Sequence, residues 1–220
     1  MAKNINNLWA SKNKESWKDF LNKYWQSINS DNFEIEKEMD SLCQKIKEFE
    51  DINDWYDFLF NKYFPWKYTA KNRLTTTRMT LKKKHESSKK ELDEIIKSIF
   101  TRFKNNPNDI KGCLEQTKKN GGLGVAGASG LLSVLFPGYF GTVDQFVAEN
   151  IVQIEEFKDE FLVEKIKNKI EKYKNISLEV DEGVFLISAM KDKAKELNKE
   201  FNTDFWTPRK IDMVLWGYRE

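Results

Sequence analysis

The feature that most constrains this chain is its glycine-rich run, Gly121-Gly122-Leu123-Gly124-Val125-Ala126-Gly127-Ala128-Ser129-Gly130. Glycine takes backbone conformations that other residues resist, so such a run marks a tight turn or a close approach of chain segments. An amphipathic segment, Ile110 to Lys119, leads into the run, and Val125 to Phe136 leaves it as a second helix rich in small residues. Pro137-Gly138 breaks that helix. Asp144 follows 22 positions after Gly122. The pattern predicts two helices joined by a Gly-hydrophobic-Gly turn, with an acid downstream.

Amides exposed at such a turn, at the positive end of the second helix, can hold a phosphate oxygen directly or through a monovalent cation. Gly122, Leu123, Gly124 and Ala126 are the candidate phosphate-binding residues. The competing reading is a packing device, in which Ala126, Ala128, Ser129 and Gly130 merely keep the second helix thin.

The flanks read as helices throughout. Leu8 to Ile28 carries apolar residues at spacings of three and four, and Asp31 to Phe49 repeats the pattern, with Ser30 as its expected N-cap. Ile52 to Phe64 forms a third apolar helix, expected to stop at Pro65. Trp66 to Thr80 matches neither period and reads as a loop, with room for a short strand. Its aromatic, basic and threonine side chains suit contact with nucleic acid, so Trp66, Lys67, Arg73 and Arg78 are candidate DNA contacts, together with Lys118 and Lys119. Leu81 to Lys90 holds five lysines in ten residues, read as a solvated helix start or a phosphate-facing edge. Glu91 to Phe103 is amphipathic, and Asn106-Pro107 reads as the cap and first residue of the next helix.

Beyond the turn, Thr142 and Gln145 have capping-box spacing. Helices are expected over about 143–154, 158–173, 182–201 and 209–218, the last capped by Thr207-Pro208. Ser177 to Val180 is the one weak strand candidate. With no repeat and no long linker, the expectation is a single all-α unit over residues 1–220, about ten helices in two closely packed lobes.

Composition supports this and excludes several functions. Hydrophobic residues make up 40% and aromatics 14%, enough for a buried core. The 37 basic and 35 acidic residues nearly cancel, so a nucleic-acid partner would depend on clustering of charge. Cys43 and Cys113 lie 70 positions apart, which rules out a disulfide framework, a Cys-rich zinc site and a four-cysteine iron–sulfur cluster. A reduced cytoplasmic setting is the simplest expectation. His85 is the single histidine, so chemistry that needs two is excluded. No run approaches ~18 apolar residues, and no membrane span or signal peptide is expected.

Residues 110–154 resemble the helix-hairpin-helix, Gly/Pro-rich loop, aspartate superfamily of DNA glycosylases, the class of endonuclease III. The matching positions are Gly122, Leu123, Gly124, Ala128, Leu132, Pro137, Val143, Asp144 and Val147. The C-terminal Pro208 to Trp216 segment is similar to the closing helix of uncharacterised helix-hairpin-helix proteins.

The resemblance implies double-stranded DNA as partner and Asp144 as the catalytic carboxylate. That residue would stabilise positive charge on the deoxyribose, or activate water, while a damaged or modified base is lost. The base would be flipped into an aromatic pocket, for which Trp66, Trp206 and Trp216 are candidates. Bifunctional members carry a lysine nucleophile at the position held here by Ala126, and Lys118 and Lys119 do not replace it. The resemblance therefore implies a monofunctional, hydrolytic enzyme without lyase chemistry and without cofactor. The alternative is a non-catalytic DNA-binding or scaffold protein on the same fold, in which Asp144 only caps its helix.

Overall fold

The computed structural model describes residues 4–45 and 51–219, and every described regular element is helical. The chain runs α1 (Ile5–Trp9), α2 (Lys14–Ser27), α3 (Ser30–Lys45), α4 (Ile52–Asp57), a π-helical stretch (Phe58–Tyr63), α5 (Phe64–Lys67), α6 (Lys71–Ser87) and α7 (Lys89–Asn105). It continues with α8 (Ile110–Lys118), α9 (Val125–Leu135), α10 (Gln145–Ile151), a 3₁₀ turn (Glu155–Phe157), α11 (Phe161–Lys172), α12 (Val180–Glu200) and α13 (Pro208–Gly217). Among the described residues, no helix is long and apolar enough to cross a membrane.

Several boundaries depart from the periodicity reading. The first expected helix is two, because Asn13 caps a new start by accepting from the Glu15 amide at 2.9 Å. Ser30 opens α3 from inside it, while the side chain of Asn29 accepts from Asp31. Ile46 and Phe49 lie outside the described residues. Pro65 does not end its helix. A proline one turn into an α-helix meets the carbonyl four residues back. Here the preceding turn is widened to π geometry, the Phe64 amide reaches Leu59 O, and the helix carries on to Lys67.

Trp66 to Thr80 is not a loop. Trp66 and Lys67 finish α5, and residues from Lys71 onward form the polar helix α6. Its period is faint because it buries only Thr77 and Leu81. Thr76 and Thr80 donate their hydroxyls to the carbonyls four residues back, which relieves the usual competition between threonine and helix. Asp109, not Asn106, caps α8, and the Asn106-Pro107 segment is a turn. Val180 begins α12 where a strand end was considered.

The buried residues form two hydrophobic clusters. One gathers α1, α2 and α10 to α13 with parts of α8 and α9; the other gathers α3 to α7 with Leu123, Leu131, Val134 and Leu135. Helix α9 feeds both, through Val125, Ala128 and Leu132 on one side and Leu131, Val134 and Leu135 on the other. The partly buried ring of Phe136 packs against both clusters. An all-round apolar helix is what such a central position requires.

Helix α9 admits its neighbours closely because it carries glycine on the contact faces. A Cβ on Gly127 would stand 2.3 Å from the Tyr68 hydroxyl. One on Gly130 would stand 2.8 Å from the Tyr63 hydroxyl and 3.2 Å from the Lys67 stem. Tyr63 uses that closeness to donate to the Gly127 carbonyl.

Candidate functional site

The turn between α8 and α9 is built on Gly121 (φ 90°) and Gly122 (φ 77°), both in the left-handed region. Gly124 lies elsewhere: at φ −76° and ψ −178° it is the extended N-cap of α9, and its missing side chain faces open space. The positive-φ pair is therefore Gly121 and Gly122, not the Gly122 and Gly124 of the expected Gly-x-Gly turn. With glycine as the cap, no side chain accepts from the first-turn amides of α9. Gly122 and Gly124 are exposed, Ala126 is half-buried, and Leu123 is buried as the hydrophobic anchor of the turn.

Helix α6 flanks this turn, which the sequence did not reveal. Thr80 and Lys84 are the nearest groups to the Cβ side of Gly121, and Thr77 and Thr80 to that of Gly122. Lys84 donates to the Lys119 carbonyl at 2.9 Å and pairs with Glu91 at 2.9 Å. Asn120 is fully buried beneath the turn, and its side-chain carboxamide makes no hydrogen bond among the described residues.

Asp144 stands at the far end of the segment that follows α9. It is itself the N-cap of α10, in place of the expected Thr142. Its Oδ1 accepts from the Phe146 amide at 3.0 Å and the Val147 amide at 3.1 Å. Its Oδ2 accepts from Trp216 Nε1, on α13, at 2.9 Å. The carboxylate is half-buried, so it is oriented by three donors yet not sealed away.

The backbone leading to Asp144 is pinned to α9. The Val143 amide donates to Ser129 Oγ at 3.0 Å, and Ser133 Oγ lies 3.0 Å from Thr142 Oγ1. Thr142 does not cap: its hydroxyl is engaged with Ser133, and its amide donates to the buried Asp212 at 2.6 Å.

Asp212 belongs to a buried polar network that joins the ends of the chain. Arg209 donates to Asp212 at 2.7 Å and to Glu36 at 2.8 Å, and Tyr24 donates to Glu36 at 2.5 Å. Burial pushes the Asp212 carboxyl up to about 7, against the opposing pull of Arg209 and the Thr142 amide. Removing one partner of such a network leaves another charge unmatched in the interior.

The predicted DNA-contact residues separate into groups. Trp66 turns inward, donating to Glu36 with Arg209 over its ring at 5.5 Å. Arg78 is half-buried and donates to the Phe60 carbonyl at 2.8 Å. Arg73 and Lys119 are exposed, and Lys118 is half-buried at the hairpin. Lys67 lies across α9 at Gly130 rather than on the outer surface. Of the aromatic candidates, Trp206 is core, tilted edge-on against Trp17, whereas Trp216 touches the carboxylate.

Burial holds the Lys67 ammonium below its ordinary lysine range, with Asp144 and Asp212 as the leading opposing charges. Trp216, Phe146 and Arg219 form a stack beside Asp144: the two rings are 4.9 Å apart, and the Arg219 guanidinium lies 3.8 Å from one and 4.3 Å from the other. Sequence reasoning included Thr77, Thr80 and Lys84 only as parts of polar and basic stretches and missed Asp212, because their partners lie at long sequence separation. Among the described residues, no group of three or more His, Cys, Asp or Glu could hold a metal ion. Neither the protein-family models, nor the curated proteins, nor the solved structures give a match to this chain.

Proposed function

We propose that this protein is a DNA glycosylase of helix-hairpin-helix type, which grips a duplex backbone at the Gly121–Ala126 turn and removes a damaged or modified base with Asp144. The observation that carries the reading is the fixed relation of the two parts. The turn offers uncapped amides at the start of α9, and Ser129 and Ser133 of that helix pin the segment that ends in Asp144. A phosphate held at one end of α9 is thus placed relative to a carboxylate at the other.

In this reading Asp144 faces the sugar as its glycosidic bond breaks, and either stabilises the positive charge on the ring or takes a proton from the attacking water. Ala126 places no amine on the hairpin, so base loss itself is hydrolytic. The base would leave the stack toward the Trp216–Phe146–Arg219 cluster, whose rings and guanidinium suit stacking on any base.

The capping geometry of Asp144 favours a second reading, in which the carboxylate is structural and the protein only binds DNA. Asp144→Asn separates the two. Asparagine is as good an N-cap as aspartate, but its Nδ2 cannot accept from the Trp216 indole, so a thermal melt checks that the fold is kept while the charge is lost. Duplexes carrying a panel of lesions are incubated with the protein and treated with alkali to cut abasic sites. Wild type should give strand breaks that D144N loses by about 100-fold or more. Strand breaks that persist in D144N would exclude the catalytic role, and binding without any cleavage would favour the second reading.

A further inference from the structure

Carboxylates are unevenly placed along this chain. Asp and Glu supply 35 of its 220 residues, yet residues 58–85 contain neither, and nor do residues 116–143. The first stretch runs through most of α6, and the second through the glycine turn and α9. The fold packs them together. A Cβ at Gly121 would meet the Thr80 side chain at 3.4 Å and the Lys84 stem at 3.9 Å. One at Gly122 would meet Thr80 at 3.6 Å and the Thr77 backbone at 3.7 Å. Helix α6 is thus a wall beside the turn, and the stretches on both sides of the join lack acid.

Helical geometry sorts the side chains of that wall. At about 100° per residue, Arg73, Thr76, Thr80 and Lys83 fall at i, i+3, i+7 and i+10 and share one stripe. Thr80, in the middle of it, touches the turn, and all four residues are exposed. The Thr76 and Thr80 hydroxyls are spent on carbonyls of their own helix, at 2.9 and 3.0 Å. Lys84, at the inner border, is spent on the Lys119 carbonyl and Glu91. Arg73 and Lys83 remain, and neither forms an ion pair within 4.0 Å with a described residue. A single exposed cation is ordinary on a solvated helix. Two on the stripe that borders uncapped amides, within a stretch that holds no carboxylate, attract an extended anion.

We propose that α6 is the second half of the DNA-contacting surface, with Arg73 and Lys83 taking phosphates on either side of the one held at the Gly121–Ala126 turn. The proposal rests on the proposed function for its partner, duplex DNA, and adds the helix and the face that carry it. Ten residues separate the two cations, a rise of about 15 Å along α6. That is close to the rise of about four phosphates along one strand. The turn amides fix one phosphate by direction, while the flanking side chains supply the charge that the nearly neutral chain as a whole does not. Such contacts carry no sequence information, so α6 sets the register of the duplex and leaves the choice of base to the surroundings of Asp144.

The test uses the full chain and an undamaged labelled duplex, so it does not depend on knowing the base removed. Fluorescence anisotropy is read from about 50 to 200 mM salt. Arg73→Gln/Lys83→Gln should bind about 10-fold more weakly at low salt and flatten the slope of log K against log salt by about 1–2. Lys71→Gln/Lys82→Gln removes the same charge from the same helix, but both positions lie on the side away from Thr80, at about 180° and 200°. That pair should leave the slope within about 0.5 of wild type. Circular dichroism checks that both variants are folded. Equal flattening in the two pairs, or none in Arg73→Gln/Lys83→Gln, overturns the proposal, and base release from a lesion duplex by wild type then leaves the glycosylase reading standing. A wild type that binds no duplex, or binds single-stranded RNA in its place, overturns both.

Discussion

At the scale of single residues, the informative positions are those whose partners lie far away in sequence. Asp144 takes two donors from its own helix and a third from Trp216, and Asp212 binds Arg209 and the Thr142 amide. Asp212 yields a prediction about pH. Its carboxyl titrates near 3.8 in the unfolded chain and about 7 in the folded one. Between those values the folded chain binds the extra proton, so stability falls as pH rises. The contribution of the protonated carboxyl is complete below about 3.8 and is lost as pH climbs through about 7. Thermal melts of wild type and Asp212→Asn should therefore differ most in favour of wild type near pH 4, with the difference shrinking toward pH 7 and flat above it. Asparagine still offers an oxygen to Thr142, which limits the loss to the titration and the Arg209 pair.

At the scale of elements, α9 is the axis on which the rest is hung, and its glycines are the reason. A β-branched side chain at Gly127 would drive into the Tyr68 hydroxyl and Leu123, so Gly127→Val should destabilise by roughly 1–3 kcal/mol, read as a shift in the denaturant midpoint. The centrality of α9 was legible in the sequence because small and apolar residues fill every turn of it. The two helices joined by a glycine turn were legible too, as was the Thr207-Pro208 start of α13. Helix α6 was not, because only Thr77 and Leu81 are buried along it, and a polar helix leaves almost no periodic trace. Pro65 misled for a different reason: the π-helical stretch before it absorbs a residue that would break a regular helix. Thr142 looked like a cap because local spacing cannot show that its hydroxyl is engaged with Ser133 and its amide with Asp212, 70 residues on. The same limit hid the approach of Lys67 to Gly130.

At the scale of the whole molecule, charge is spread and largely answered. In the lysine-rich run, Lys82 lies 3.7 Å from Glu86, Lys84 lies 2.9 Å from Glu91, and Lys89 donates to Asn53. On α6 and at the hairpin, the exposed Lys71, Arg73, Lys83 and Lys119 and the half-buried Lys118 form no ion pair with a described residue. On the proposed function, duplex binding should depend only moderately on salt, with log K falling against log salt at a slope of about −2 to −4, measured by fluorescence anisotropy. A steeper slope would mean that more of the surface meets the backbone than the hairpin and its flank.

The bond from Trp216 to Asp144 spans 72 residues, and it bears on how the protein is made. Ribosomes deliver the hairpin, α9 and the aspartate well before they deliver α13. Asp144 can cap α10 through its first oxygen before its second oxygen has the Trp216 indole as donor. The indole arrives only when α13 docks on α2. On the proposed function, a copy in which α13 has not yet docked would meet duplex with its carboxylate held by only two of its three donors.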